Sequence, residues 1–261
     1  MDFDIGDLVT RKSYNNDLVF IITDIIDDNY YLKGTNIRLC ADSPKDDLIK
    51  YEEKERDKEE EEFIERSKPK NDLDRTDYFY LPGKILHIDG DKDYLDRCLK
   101  YYNDANIWAM GINEVEENVP LYIRDWLEEY RPNIVIITGH DAYYKHDGKK
   151  NNIDAYKNSG NFIKAVKEAR KYESSHDKLI IIAGACQSDY EDLIKAGANF
   201  ASSPKRVNIH ALDPAIIATR MSLSDISKDI DLKNILDQTK YGSDGMGGII
   251  TKGTMYVGFP R

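Results

Sequence analysis

The chain is poor in cysteine, with only three among 261 residues, at positions 40, 98 and 186. No two share a C-x-x-C spacing and no histidine pair stands at ligand spacing, so the sequence predicts neither a structural zinc site nor a disulfide framework. It is also short of positive charge: 37 Lys and Arg face 48 Asp and Glu, a net charge of −11. A protein that neutralises phosphates needs the opposite balance, which excludes a general nucleic-acid binder. No apolar run approaches the roughly 18 residues of a membrane span. The first residues, MDFDIGD, lack the basic start and apolar stretch of a secretion signal. The expectation is a soluble, reduced, intracellular protein without membrane insertion, and no metal or organic cofactor is indicated.

What is present divides the chain in three. Residues 1–50 carry short β-rich runs (FDIGDLVTR, LVFIITDII, NYYLKG, IRLCAD) between Asn, Asp and Gly turns, which predicts a small SH3-like β-barrel, a module that more often binds a partner than catalyses. Residues 51–77 contain twelve acids and seven bases with almost no apolar side chains. They read as a charged linker: either a solvated helix supported by i,i+4 pairs such as Glu52 with Arg56 and Glu62 with Arg66 and ended at Pro69, or a flexible tether.

Residues 78–261 alternate strand and helix: KILHID, a helix over 94–103, IWAMGI, a helix over 121–130, IVIIT, a helix over 162–172, LIIIA, a helix ending near Ala196, and a short strand near Phe200. This order predicts an α/β domain with a mainly parallel, doubly wound sheet. The final GGIITKGTMYVGFP reads as a terminal hairpin. In such sheets ligands bind at the carboxyl ends of the strands, so the candidate site residues are His87 with Asp89, Gly111, His140 with Asp141, Cys186 with Gln187, and Ser202 with Ser203. Asp89-Gly90-Asp91 reads first as a turn and helix cap, His87 and His210 as structural histidines, and the glycines at 242, 245, 247 and 248 as a loop, because no Lys-Ser/Thr follows them.

Two runs stand out. IVIITGHD delivers His140 and LIIIAGACQS delivers Cys186, each after a buried-strand pattern and a small-residue turn. Neighbouring strand ends would bring thiol and imidazole side by side. Ser188 and Glu191 read as a capping box, which sets Cys186 just before a helix N-terminus, where a thiolate is favoured. A Cys with one His is a nucleophile pattern, although a strand-end Cys also suits inert packing. Two other classes fit the same order: a phospho-receiver using Asp89, Asp91 and Lys205, which lacks a phosphoacceptor at the end of its third strand, and a non-catalytic scaffold, which leaves His140 and Cys186 unexplained.

The segments IGDLVTRKSY, LPGKILHIDGD, YRPNIVIITGHDAY, IIAGACQSDYEDLIKAGANFASSPKRVNIHALDP and GMGGIITKG resemble the YabG family of sporulation-specific proteases, over nearly the whole chain. That resemblance implies a cysteine endopeptidase acting on spore-coat and germination-related proteins, made in the mother cell and resident at the forming spore coat, with Cys186 as nucleophile and His140 as base. The strand-end His followed by a strand-end Ala-Cys is also similar to caspase-like peptidases, except that Gly139 precedes the His where a Gly usually follows it. The Cys186 amide is one expected oxyanion donor, and Asp141 or a neighbour the second. No third catalytic residue is required, and Asp141 is a weak candidate for orienting His140. Acids at strand ends and in loops (Asp89, Asp91, Asp141, Asp213, Asp244) suggest a pocket for Arg or Lys before the scissile bond, and with it self-processing in the linker at Arg56, Arg66 or Arg75.

Overall fold

In the computed structural model, residues 3–51, 56–69, 73, 75–143 and 153–261 are described. They fall into two compact units, residues 1–66 and 67–261.

The first unit is an antiparallel sheet of β1 (Leu8–Arg11), β2 (Phe20–Ile26), β3 (Asn29–Gly34), β4 (Cys40–Pro44) and β5 (Leu48–Lys50), hydrogen-bonded in the order β4-β3-β2-β1-β5. Strand alternation turns Val9, Phe20, Ile22, Tyr30, Leu32 and Leu48 onto one apolar cluster with Phe3. The ladder runs from β4 to β5, with no pair closing it into a barrel among the described residues. The acidic segment that follows forms helix α1 (Arg56–Ser67), which stops two residues before Pro69, whose ring disfavours helix in the residue before it. Glu52, the expected partner of Arg56, lies outside the described residues.

The second unit is built on six strands: β7 (Ile85–Asp89), β8 (Ala109–Asn113), β9 (Ile134–Thr138), β10 (Ile180–Ala183), β11 (Phe200–Ser202) and β12 (Met246–Gly248), in the order β12-β11-β10-β9-β7-β8. A separate short strand, β6 (Phe79–Leu81), precedes them. All neighbours are parallel except β11 and β12. The helices are α2 (Lys92–Asp104), α3 (Val119–Tyr130), α4 (Ser159–Tyr172), α5 (Tyr190–Ala196), α6 (Asp213–Ser222), α7 (Leu232–Asp237) and the single turn α8 (Gly242–Gly245), so the glycines expected in a loop fall in α8 and β12. Every residue of β7, β9 and β10 is buried, as continuous apolar runs in a parallel sheet require. Leu86, Ile88, Val135, Ile137, Ile181 and Ala183 face α3, α4 and α5. The alternate residues face α2 and α6, where His87 bonds Tyr102 of α2. With helices on both faces, the strand order reverses between β7 and β9, and the crevice at such a switch point is where these sheets bind ligands.

Two local expectations are corrected. The N-cap of α5 is Asp189, whose side chain accepts from Asp192 N; Ser188 is one residue too early and its hydroxyl is used elsewhere. The C-terminal segment is not a hairpin. β12 pairs with β11, and β13 (Tyr256–Gly258) pairs with β6, so its two halves reach different partners.

Candidate active site

His140 and Cys186 emerge at the same height from adjacent strands. Ile137 of β9 is paired with Ala183 of β10, and each reactive residue lies three positions further along. Across the other ladder Asp89 of β7 is paired with Thr138 of β9, so Asp91 and His140 both lie two positions beyond that pair. Three neighbouring loops at the switch point therefore carry a carboxylate, an imidazole and a thiol in equal register.

The His140 ring is 18 % exposed and its Nε2 lies 2.9 Å from Asp91 Oδ2. With Asp91 ionised, Nε2–H donates to it, and in the neutral ring the lone pair is then on Nδ1. The other Asp91 oxygen, Oδ1, accepts from Asp93 N and Tyr94 N at the start of α2, the capping role that the Asp-Gly-Asp sequence announced. The main chain of His140 is held as well: its N–H donates to Glu116 Oε1 at 2.7 Å and its carbonyl accepts from Asn158 Nδ2 at 2.8 Å. Tyr94 lies against the imidazole, with ring centroids 5.7 Å apart. Neither the Asp91 contact nor the Glu116 contact was read from the sequence. For Asp91 the signal was its place two residues past Asp89, level with His140 two past the paired Thr138; Glu116 had none.

Glycine at 139 follows from Glu116. A Cβ there would fall 2.2 Å from Glu116 Oε1. The carboxylate is the end of a flexible side chain and could withdraw at little cost to the fold, but it would leave the His140 amide. Gly139→Ala is therefore expected to lower any catalysis that uses His140 about tenfold, the effect of roughly 1.4 kcal/mol in the barrier, with a melting temperature close to the parent's. Assays at several substrate concentrations beside a thermal melt check this; full activity in the folded variant would show that Glu116 does not matter.

The Cys186 loop is braced by serines. Gly184 has φ +101°, and a Cβ there would come within 2.4 Å of Ser202 Oγ, so glycine is required on both counts. Ser202 Oγ donates to Ala185 O, Ser188 Oγ accepts from Ala185 N, and Ser203 Oγ accepts from Gln187 N. Thr138 Oγ1 donates to Gly184 O and ties the loop to β9. Cys186 itself is fully buried, and its Sγ accepts from Ile209 N at 3.2 Å. The Ile209 main chain lies against the thiol, and the sulfur is closed to solvent.

Asp141, the carboxylate adjacent to His140, is not its orienting group. It is 5 % exposed and accepts from Ala142 N and Asn158 N through Oδ1, and from Ser159 Oγ and Ser188 Oγ through Oδ2. It knits the starts of α4 and α5 to the end of β9. The proposed basic-residue pocket fares poorly for the same reason. Asp89 accepts from Asp91 N, and Asp213 from His210 N and Lys240 N; with Asp91 and Asp141 they face inward, and only Asp244 of the five acids is exposed. His87 and His210 are buried; the first bonds Tyr102 and the second accepts from Leu212 N. Gly111 lies beneath Leu99 of α2.

Among the described residues no cluster of His, Cys, Asp and Glu is arranged to hold a metal ion, and no helix is long and apolar enough to cross a membrane. The comparisons with known proteins put the chain among the peptidases. The sequence model of the family described as YabG peptidase U57 matches residues 4–260, and the chain belongs to that family. The sporulation-specific protease YabG of Bacillus subtilis (strain 168) is 40 % identical over 289 residues, with 100 % of this chain and 99 % of that protein covered.

Proposed function

We propose that the chain is a cysteine endopeptidase of sporulation in which Cys186 is the nucleophile and His140 its general base. The observation that carries this reading is the equal register of His140 and Cys186 beyond the paired Ile137 and Ala183. Supporting it are the braced thiol loop and an imidazole whose Nδ1 is left as the basic nitrogen. The thiol transfers its proton to His140, the thiolate attacks the peptide carbonyl, the imidazolium protonates the leaving amine, and water then hydrolyses the acyl-enzyme with His140 again as base. The Cys186 amide is assigned as one oxyanion donor. Ala142 N is committed to the Asp141 carboxylate, which favours the amide of Asp141 as the second.

The resemblance to caspase-like peptidases supports the same assignment, because His and Cys follow the third and fourth strands of the parallel order. By the resemblance to the YabG family, the substrates are spore-coat and germination-related proteins, met at the forming coat after synthesis in the mother cell; the relative's name supports a role in sporulation. A receiver role is disfavoured by Asp141, whose oxygens are both engaged within the fold. The test is adduct mapping. Iodoacetamide is expected to abolish hydrolysis in step with modification of Cys186, in a Cys40→Ser background that removes the exposed thiol. Complete modification of Cys186 with activity retained would defeat the reading.

Residues 78–261 are taken as the protease domain, residues 51–77 as a linker and residues 1–50 as an SH3-like module that recruits substrate or coat partners. The order β4-β3-β2-β1-β5 supports that module. Ser67 O accepts from Tyr101 Oη and Arg220, so a chain beginning at Ser67 keeps contacts that one beginning at Tyr78 loses. It is expected to hydrolyse short peptides within about threefold of the full chain while cleaving protein substrates more slowly. A folded but inert product would make the first unit part of the catalytic machinery.

A further inference from the structure

We infer that Asp91 is the positioning carboxylate of the site: it fixes the tautomer and orientation of the His140 imidazole and stabilises the imidazolium formed when the thiol gives up its proton. This rests on the proposed roles of Cys186 and His140 and goes beyond them, since a Cys–His pair needs no third member.

The argument is geometric. Asp91 Oδ2 lies 2.9 Å from His140 Nε2, and the Asp91 side chain is 9 % exposed. A carboxylate at that distance is a charge-assisted partner for a protonated ring and is little screened by solvent. Accepting at Nε2, it leaves Nδ1 as the base. Asp91 cannot swing away freely, because Oδ1 is engaged by Asp93 N and Tyr94 N and its own N–H donates to Asp89 Oδ1 at 2.9 Å. Asp89 is buried beside His87, which is backed by Tyr102. One carboxylate thus performs two tasks on two oxygens, capping α2 and aiming the imidazole. The helix N-terminus favours the negative charge that the second task uses.

Asp91 from the β7–α2 turn and Tyr94 from α2 meet the His140 ring, Glu116 from the segment after β8 meets its main chain, and Asp141 is beside it in the chain. Glu116 and Asp141 meet backbone and hydroxyl donors. Asp91 is the carboxylate on the ring nitrogen.

The double role supplies a clean test in the full chain. Asp91→Asn keeps an oxygen to cap α2, because Asn is as good an N-cap as Asp, and removes the charge. The expected result is an unchanged fold, kcat lowered about 100-fold with KM within about threefold, and the His140-controlled limb of the pH–rate profile moved to lower pH. The His140 ring signal, assigned in the NMR spectrum by its loss in His140→Ala, should titrate about one pH unit lower, as loss of a neighbouring opposite charge requires. Asp91→Ser, also a good cap, serves if the Asn variant folds poorly. Wild-type kcat and an unmoved His140 titration in a folded Asp91 variant, with His140→Ala inactive, would overturn the positioning role and leave the proposed function standing. Full activity in both Cys186→Ala and His140→Ala would overturn the proposed function, and the positioning role with it.

Discussion

Cys186→Ala is expected to reduce kcat/KM toward a peptide substrate by about 10⁴-fold or more, the scale on which nucleophile deletions act in hydrolases that form acyl-enzymes. His140→Ala should match it, and the double variant should be little worse than either single one, because the two groups act as a unit. Neither change should unfold the protein. The Cys186 side chain is small, so Ala leaves a void of about one sulfur atom and costs on the order of 1 kcal/mol, and the His140 ring is partly solvated. Continuous assays with a quenched fluorescent peptide, beside circular dichroism melts, provide the measurement. Activity within tenfold of the parent in Cys186→Ala would remove the thiol from the mechanism.

The largest effect on stability is expected at Asp141. Four donors converge on its carboxylate, two of them hydroxyls that also accept from backbone amides: Ser188 from Ala185 N and Ser159 from Asp189 N. Asp141→Ala leaves these donors without their acceptor in a buried site, at a cost of about 4 kcal/mol. For a unit of this size that corresponds to a melting temperature lower by roughly 10 °C. Ser188→Ala removes one donor and should cost about 1.5 kcal/mol. A melting temperature for Asp141→Ala within about 3 °C of the parent would show that the hub contributes far less than its hydrogen bonds imply. The contrast with Asp91 is sharp: one carboxylate is spent wholly on the scaffold, the other is divided between a cap and a ring.

The positions of His140 and Cys186 were legible because continuous apolar runs ended on glycine announce buried parallel strands, and the chain order βαβα leaves few ways to arrange them. Helices α2, α3 and α4 were likewise visible in their spacing, within three residues at their starts. Asp91 was legible only in part. Its role as cap explained the Asp-Gly-Asp turn completely, and local sequence carries no trace of a second oxygen meeting a residue 49 positions away. Glu116 was hidden for the same reason. The N-cap of α5 went to Asp189 because Ser188 Oγ is drawn to Asp141, a tertiary demand invisible in an S-x-x-E pattern. The C-terminal segment misled more instructively. Alternating glycine and β-branched residues mark strands but do not name their partners, and here the partners were distant. The five-stranded sheet of residues 8–50 showed its strands in the sequence but not how its ladder would end.

The pairing of β13 with β6 bears on the order of events as the chain is made. Val257 lies opposite Tyr80, so this ladder closes a loop of nearly the whole second unit, and such a closure is entropically costly until the intervening sheet already holds the ends together. The strand that completes the unit is thus made after every other strand described in it. Synthesis itself delays the finished fold of this unit until β13 has been made, which separates a nascent sheet from a working one without any additional device.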